Sequence, residues 1–305
     1  MFDYPKSIIF IPLGKTSIIV AGGRDEFSNE FSKAYVLDKH DQCQLPDLPK
    51  GMRANPSILQ HGSDVIICGG GENCFKLEDN KWSVNTNSMI RDRRYGTSIA
   101  MKDSVYILGG WVSLDTSEML VHESEAWKLG PNIPYGGIAQ ACGVKISEKE
   151  FLIIGGFMMS NRSKILRYNA NTNTWHNTSI QLEYEKYAHR CMLFDGKVIV
   201  TGGYGLNGSI STVEIIDIED SELKIRKGKD MIQKRASHGM GILNLDNKPT
   251  LIAFGGYNTD TLEFLSSVEL WNNANESWEI SANLALKKQI DEFGHATLPS
   301  ELICP

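Results

Sequence analysis

Lys197-Val-Ile-Val-Thr-Gly-Gly-Tyr204 is a run of strand-forming residues that stops at a glycine pair. The apolar run is too short for a helix and suits a strand that is buried on both faces. Glycine at the end of a strand permits positive φ and lets another backbone approach closely. The stretch therefore predicts a strand that ends where the chain is crowded.

The same pattern occurs six times along the chain, at intervals of 40 to 53 residues between successive glycine pairs. The pairs are Gly22-Gly23, Gly69-Gly70, Gly109-Gly110, Gly155-Gly156, Gly202-Gly203 and Gly255-Gly256. Recurrence of one unit is typical of a repeat architecture, in which each unit needs its neighbours to bury its faces. We therefore predict a single domain over residues 1–305.

Each repeat predicts four strands. In the fifth repeat, Asp195-Gly196 separates two apolar runs, which is a hairpin signal. A third β-rich stretch follows the glycines, and the fourth carries a tryptophan in four of the repeats. These tryptophans are Trp82, Trp127, Trp175 and Trp278. Four antiparallel strands in about 45 residues describe a propeller blade. The predicted fold class is all-β, a six-bladed β-propeller.

These features resemble the Kelch repeat in the glycine pairs, the hydrophobic third strand, the tryptophan and the stretch Arg235-Ala-Ser-His238-Gly239. The resemblance extends over essentially the whole chain and implies a propeller like the Kelch domain of BTB-Kelch proteins. Two repeats depart from the pattern, because Cys43 to Leu45 and Leu223 to Ile225 stand where the tryptophan is expected. The motifs are specific for the fold and carry little information about a ligand.

Two stretches compete for the inner strand of the first blade. Residues 7–12 have the composition of a strand, while residues 293–298 resemble the inner strands of other repeats. Only one of them can occupy this position in a six-bladed ring. The other would pack on an edge or help to form a degenerate seventh blade. We predict six blades, because no seventh glycine pair follows Leu298.

Charge and apolar content exclude some classes of protein. The net charge of −6 argues against a nucleic-acid-binding protein, which must neutralise phosphates. No apolar run reaches the ~20 residues of a membrane-spanning helix, and the first residues lack the pattern of a signal peptide. The six cysteines match no zinc-binding spacing, so we expect reduced thiols and a cytoplasmic or nuclear location.

We predict no catalytic constellation, metal site or cofactor. His189, His238 and His295 recur at one position of the repeat, which is typical of a structural residue bonded to a neighbouring loop. The chain has no nucleophile elbow, and Gly69-Gly70-Gly71 lacks the lysine and the helix of a phosphate-binding loop.

Loops on one rim carry the best indication of a binding site. The residue after the glycine pair is aromatic in four of six repeats, and loops that enter the inner strands are basic. In Kelch-like substrate adaptors, the corresponding positions line a shallow pocket that binds a short peptide. The candidate binding residues are Arg53, Arg94, Trp111, Phe157, Lys186, Tyr204, Arg235 and Tyr257. Arginine pairs with carboxylates and rings supply contact area, so we expect an acidic peptide. For Arg53 and Arg235, a structural role in bonds between blades is an equally good interpretation.

Two functional hypotheses follow. The resemblance implies a protein-interaction module, with substrate recognition for a ubiquitin ligase as in the Kelch-like adaptors. Those adaptors reach a cullin ligase through a BTB region, which does not fit before the first predicted strand near Ser7. We therefore expect either a fragment of a longer protein or a stand-alone propeller that binds without recruiting a ligase. The alternative is a cofactor-free carbohydrate-active enzyme, because Kelch-type propellers include sialic acid mutarotases. The partner expected under the first hypothesis is a protein or peptide, neither a nucleic acid nor a membrane.

Overall fold

The structure, a computed structural model, describes residues 16–25, 27, 29–37, 45–52, 54–69, 71–84, 88–122, 124, 126–157, 162–219 and 222–303. Within these ranges the chain forms six antiparallel blade sheets, and the innermost strands of successive sheets contact one another in a closed ring. The molecule is therefore a six-bladed β-propeller, and the predicted fold class is confirmed.

The strands of each blade are given from the axis outwards. Blade 1 contains Gly294–Pro299, Thr16–Ala21 and Ala34–Leu37. Blade 2 contains Ser57–His61, Asp64–Cys68, Cys74–Glu78 and Lys81–Val84. Blade 3 contains Thr97–Ala100, Ser104–Leu108, Ser117–Val121 and Lys128–Leu129. Blade 4 contains Cys142–Lys145, Glu150–Ile154, Lys164–Asn169 and Thr174–Gln181.

Blade 5 contains Arg190–Phe194, Lys197–Thr201, Val213–Glu219 and Glu222–Lys227, with a hairpin of Tyr204–Gly205 and Gly208–Ser209. Blade 6 contains Gly239–Leu245, Lys248–Phe254, Ser267–Asn272 and Ser277–Ala285, with a hairpin of Tyr257–Asn258 and Glu263–Phe264. A short helix, Ser300–Ile303, follows the last strand. In the described part of the chain, no helix has the length and apolar character needed to span a membrane.

The two ends of the described chain meet in blade 1. Gly294–Pro299 pairs antiparallel with Thr16–Ala21, so that Gly294 lies opposite Ala21 and Pro299 lies opposite Thr16. The C-terminal stretch thus occupies the inner-strand position for which two stretches compete in the sequence. Residues 7–12 lie outside the described residues. Main-chain hydrogen bonds between the first and last repeats close the ring.

The glycine pairs hold successive blades together. The amide of Gly202 donates to the carbonyl of Thr212 in its own blade at 3.0 Å, and the amide of Gly203 donates to the carbonyl of Arg235 in the next blade at 2.8 Å. Both glycines have positive φ, and a Cβ atom on Gly202 would lie 2.4 Å from the Arg235 carbonyl oxygen. The close backbone approach predicted from the sequence is confirmed, and a side chain would not fit there.

Apolar side chains of facing sheets fill the space between neighbouring blades. The second strands contribute fully buried residues such as Ile153 and Val200. Trp82 and Trp278, on outer strands, are also buried, whereas Trp175 is partly exposed. The hydrophobic core is thus a set of layers between blades, and the propeller axis is left for other residues.

Four cysteines form disulfides, which contradicts the expectation of reduced thiols. Cys68 and Cys74 are register partners on adjacent strands of blade 2, with Cα atoms 4.1 Å apart. Cys142 and Cys191 lie on the neighbouring inner strands of blades 4 and 5, with Cα atoms 5.9 Å apart. Both pairings depend on strand register and blade order, which the sequence spacing does not reveal. The remaining two, Cys43 and Cys304, lie outside the described residues.

Candidate ligand-binding face

The second strand of every blade ends on the same side of the propeller, which we call the upper face. The inner and second strands of a blade are antiparallel, so the loop that enters the inner strand lies on this face too. Main-chain bonds join the two kinds of loop. For example, the Trp111 amide donates to the Arg94 carbonyl at 3.0 Å. The upper face therefore brings together loops from different repeats around the axis.

A collar of main-chain hydrogen bonds surrounds the axis at the upper face. Six equivalent residues, one in each blade, have positive φ although none is glycine. They are Ala54, Tyr95, Gln140, Ala188, Ser237 and Glu292. Four of their amides donate to the carbonyl of the preceding member at 2.8 Å, and the Asn55 amide donates to the Glu292 carbonyl at 2.9 Å. Such conformations persist where the surroundings over-determine them, so the collar gives the loops a rigid base.

Aromatic side chains form a continuous arc along part of this collar. The ring centroids of Tyr95 and Trp111 lie 6.3 Å apart, and those of Trp111 and Phe157 lie 5.0 Å apart. The series continues from Phe157 to Tyr187 at 5.0 Å and from Tyr187 to Tyr204 at 5.2 Å. We call these five residues the aromatic arc. The separations are those of favourable ring pairs, and the arc crosses blades 3, 4 and 5.

The aromatic arc contains three predicted binding residues and two that sequence reasoning missed. Trp111, Phe157 and Tyr204 follow glycine pairs as predicted, whereas Tyr95 and Tyr187 belong to the loops that enter the inner strands. Tyr187 exchanges main-chain hydrogen bonds with Tyr204 at 2.8 and 3.2 Å, which places the two rings side by side. The signal for Tyr187 is its position in the repeat, because it is equivalent to Arg94.

A second cluster of aromatic and charged groups lies in blades 1 and 6. The rings of Tyr257 and Phe264 are 5.1 Å apart, and the Arg24 guanidinium lies 5.7 Å from the centroid of Phe264. Arg24 also donates to both carboxylate oxygens of Asp291, at 2.9 and 3.2 Å. Burial raises the pKa of Asp291 to about 6 despite this partner. Burial and then the Asp291 charge raise the pKa of Tyr204, which connects this cluster to the aromatic arc.

Arg94 is an exposed cation beside the aromatic arc. Its side chain is 48% exposed, and its Nε contacts Asp92 Oδ2 at 2.9 Å. Arg162 is a second cation at the arc, with its guanidinium 4.6 Å from the centroid of Phe157, which is a cation–π contact. Sequence reasoning missed Arg162. Arg53 lies outside the described residues, so its place on the face stays a prediction.

Lys186 and Arg235 do not face the solvent, which contradicts the expectation that they contact a ligand. Both side chains are fully buried. Lys186 Nζ lies 2.5 Å from Glu214 Oε2, and Arg235 Nε lies 3.0 Å from Glu269 Oε1. Arg235 Nη1 also donates to two main-chain carbonyls of its own blade. Burial lowers the pKa of both cations even beside their carboxylates. The structural interpretation of Arg235 is the correct one.

The position of Lys186 and Arg235 in the repeat is a packing position. Arg93 forms a third buried ion pair there, with its Nε 2.9 Å from Glu118 Oε1. The other three blades have apolar pairs at the same place. These pairs are Ile290 with Tyr35, Met52 with Phe75, and Ile138 with Leu166. Protein interiors can accommodate an apolar pair in place of a buried ion pair of similar volume without loss of stability.

Exposed apolar side chains concentrate on the upper face. Twelve large apolar side chains are exposed among the described residues, and nine of them lie in loops of this face. The nine are Phe27, Ile90, Trp111, Val112, Tyr135, Tyr184, Leu206, Ile232 and Leu262. The other three lie on outer strands and are Val84, Leu129 and Ile280. Clustered exposed apolar side chains mark interaction surfaces.

His238 and His295 serve the contacts between blades. The prediction that His295 shares the repeat position of His189 and His238 is wrong, because Phe293 occupies that position in blade 1. His238 Nε2 lies 2.9 Å from the Thr201 hydroxyl oxygen, and the Met240 amide donates to His295 Nε2 at 3.1 Å. In the described ranges, no group of three or more histidine, cysteine, aspartate or glutamate side chains has the arrangement of a metal site.

The glycine pairs, the six-bladed ring and the loops of the upper face define a Kelch-type β-propeller. No protein-family model matches the chain. Kelch-like protein 23 from Mus musculus is 24% identical to it over 259 residues, and Kelch-like protein 23 from Homo sapiens is 25% identical over 259 residues. Both comparisons cover 79% of this chain and 44% of the relative. The chain therefore spans less than half the length of these relatives.

Two further similarities agree with this class. The F-box/kelch-repeat protein SKIP4 from Arabidopsis thaliana is 30% identical over 84 residues, which cover 27% of this chain and 24% of that protein. The solved structure of YjhT has a TM-score of 0.68 at 13% identity, over 88% of this chain and 98% of that chain. The likeness to YjhT shows the fold. The similarity to Kelch-like protein 23, together with the six-bladed fold, supports a Kelch-type domain.

Proposed function

We propose that the protein is a protein-interaction module that binds a short peptide segment of a partner on its upper face. The observation that carries this proposal is the aromatic arc, in which five rings from three blades form one connected surface. Aromatic side chains offer large contact areas and lose little conformational entropy on binding. The exposed apolar residues of the surrounding loops extend the same surface.

The charges beside the aromatic arc favour acidic residues in the peptide. Arg94 is half exposed and pairs only at the surface with Asp92, so its charge is available at low cost. Arg162 lies over the ring of Phe157 and can pair with a carboxylate that approaches the arc. The whole chain carries a net charge of −6, so selection of an acidic peptide depends on the local field of these arginines.

The link to a ubiquitin ligase is a finer part of the proposal. The relatives are named Kelch-like and F-box/kelch-repeat proteins, and the resemblance implies substrate recognition for a cullin ligase. A region outside this chain, or a partner protein, would supply the connection to the ligase. The cytoplasmic or nuclear location stays a prediction. The two disulfides contradict the reduced thiols on which this prediction was based.

A second candidate function is acid–base chemistry on a carbohydrate. The cluster of Arg24 and Asp291 favours it, because the pKa of Asp291 is raised to about 6 and perturbed carboxyl groups are common in active sites. The Asp291 side chain is fully enclosed, however, and both of its oxygens accept hydrogen bonds from Arg24. A substrate would have to displace Arg24 to reach it, so peptide binding is the better-supported function.

Selection and titration of peptides tests the proposal. Peptides selected from a random displayed library on the intact protein would be titrated against Trp111→Ala and Arg94→Ala. We expect each substitution to weaken binding at least about tenfold, or ~1.4 kcal/mol, with an unchanged melting temperature. The matched controls are Leu129→Ala and Lys128→Ala, which change an exposed apolar and an exposed basic residue on an outer strand.

Three outcomes would contradict the proposal. The first is equal binding by Trp111→Ala, Arg94→Ala and the wild type. The second is a loss of binding in the Leu129→Ala or Lys128→Ala controls as large as in the upper-face variants. The third is the absence of any enriched peptide combined with turnover of a sugar, which would support the enzyme hypothesis.

A further inference from the structure

A cavity of about 170 Å³ lies on the propeller axis between the inner strands and is partly open to solvent. Every blade contributes to its lining, which is mixed in character. The polar lining includes Asn55, Ser57, Thr97, Gln140, Arg190 and His295. None of the described residues that line it is an aspartate, a glutamate or a lysine. Among the described residues that line the cavity, Arg190 therefore carries the charge.

Arg190 crosses the cavity and binds neutral groups. Its Nη2 donates to Asn55 Oδ1 at 3.0 Å, from blade 5 to the opposite blade 2, and its Nη1 donates to the His189 carbonyl at 3.2 Å. Its Nε is buried and has no hydrogen-bond partner among the described residues. The guanidinium is thus only partly satisfied and keeps at least one free donor.

The buried cations of the repeat are paired in a different way. Arg93, Lys186 and Arg235 each lie within 3.0 Å of a buried glutamate. A cation held away from water is costly unless an opposite charge and hydrogen bonds compensate for its lost hydration. Arg190 is only partly buried, but it has no carboxylate partner in the described part of the chain, so its charge is left to solvent or to a bound anion.

The ionisation of the groups in the cavity is consistent with an uncompensated positive charge. Burial lowers the pKa of Arg190 to about 10. Burial, and after it the Arg190 charge, lower the pKa of His295 to about 3. His295 is therefore neutral at physiological pH and adds no second charge to the cavity.

We propose that the axial cavity binds a small monovalent anion of the size of chloride against the guanidinium of Arg190. Nε offers a free donor to the anion, and the hydroxyl groups of Ser57 and Thr97 line the same cavity. The anion would neutralise the axis at the point where the blades meet, and would thereby stabilise the closed ring. The lining of this site includes none of the five residues of the aromatic arc, so the proposal does not depend on the proposed function.

Thermal unfolding of the whole chain tests the anion site. Sodium chloride would replace sodium gluconate at constant ionic strength, so that general screening stays the same and only the identity of the anion changes. We expect a saturable rise of a few degrees in the melting temperature of the wild type. Arg190→Met should abolish the rise, while the exposed-cation control Lys128→Met should keep it.

Locating the anion directly in crystals keeps the proposal testable even if Arg190→Met fails to fold. Crystals of the wild type soaked in sodium bromide should show an anomalous peak in contact with the Arg190 guanidinium. The proposal is overturned if bromide occupies only surface sites. It is also overturned if chloride and gluconate give the same melting curves, or if the chloride effect persists in Arg190→Met.

Discussion

The buried pair of Arg235 and Glu269 offers a sharp test of how the upper-face loops are fixed. Arg235→Ile removes the cation and leaves the carboxylate of Glu269 enclosed without an opposite charge, with the amides of Ile232 and Gln233 as its remaining hydrogen-bond donors. Breaking a buried ion pair from one side costs ~3–5 kcal/mol, because the remaining charge stays desolvated. We therefore expect Arg235→Ile, and likewise Glu269→Leu, to lower the free energy of unfolding by ~4 kcal/mol.

The double variant combines the two substitutions. Arg235→Ile with Glu269→Leu installs in blade 6 the pair that blade 4 already has, Ile138 with Leu166. The unpaired charge is then gone, so the double variant should be more stable than either single variant. We expect a total loss of about 2 kcal/mol, because main-chain carbonyls lose the hydrogen bonds from Arg235 and the amides of Ile232 and Gln233 lose their acceptor on Glu269.

Urea unfolding, monitored by tryptophan fluorescence, gives the free energy of unfolding of the wild type, the two single variants and the double variant. The double-mutant cycle then gives the coupling free energy between the two residues. Trp271 and Trp278 belong to the core of blade 6 and report on the affected region. Lys128→Met is the control for removal of an exposed cation and should change the stability by less than about 0.5 kcal/mol. A coupling energy near zero, or a stable Arg235→Ile variant, would refute the assignment of Arg235 as a packing residue.

Three further predictions concern the backbone, the cysteines and one carboxyl group. Gly202→Val should lower the free energy of unfolding by ~3 kcal/mol or more, because residue 202 has positive φ and its Cβ would lie 2.4 Å from a carbonyl oxygen. Thermal melts that overlap for the variant and the wild type would contradict this. Peptide mapping under non-reducing conditions should recover the Cys68–Cys74 and Cys142–Cys191 disulfides, and recovery of four free thiols would contradict the structure. The pKa of Asp291 rises from 3.8 to about 6 on folding, so its stabilising contribution is fully present below about pH 4 and is lost as the pH rises through about 6. Asp291→Asn should therefore remove part of the decline in urea stability between pH 4 and pH 6, whereas identical profiles for variant and wild type would refute the shift.

The fold could be predicted from the sequence because each repeat carries its own local signals. A glycine pair follows every second β-rich run in the sequence, and the described glycines of these pairs have no room for a side chain. Ring closure could not be predicted in the same way, because residues 7–12 have the composition of a strand and residues 293–298 resemble the inner strands of other repeats. Strand pairing in the structure identifies the inner strand of blade 1, because residues 294–299 pair with residues 16–21.

The candidate site was predictable in part. The repeat determines where each second strand ends, and an aromatic residue follows the glycine pair there in several blades. Trp111, Phe157 and Tyr204 could therefore be placed on one face. Burial was not predictable from residue type. Lys186 and Arg235 are basic residues in rim loops, yet a glutamate near the start of the third strand draws each of them into the interior. That glutamate recurs in the three blades with a basic residue and is the sequence signal that separates the two cases.

The central claim is that the aromatic arc is the surface that contacts a bound peptide. Hydroxyl-radical footprinting of the intact protein, with and without a peptide selected from the displayed library, tests it most directly. We predict reduced oxidation of Trp111, Phe157 and Tyr187 in the complex, with unchanged oxidation of Leu129 and Ile280 on the outer strands. Protection of the outer strands with full oxidation of Trp111, Phe157 and Tyr187 would contradict the claim.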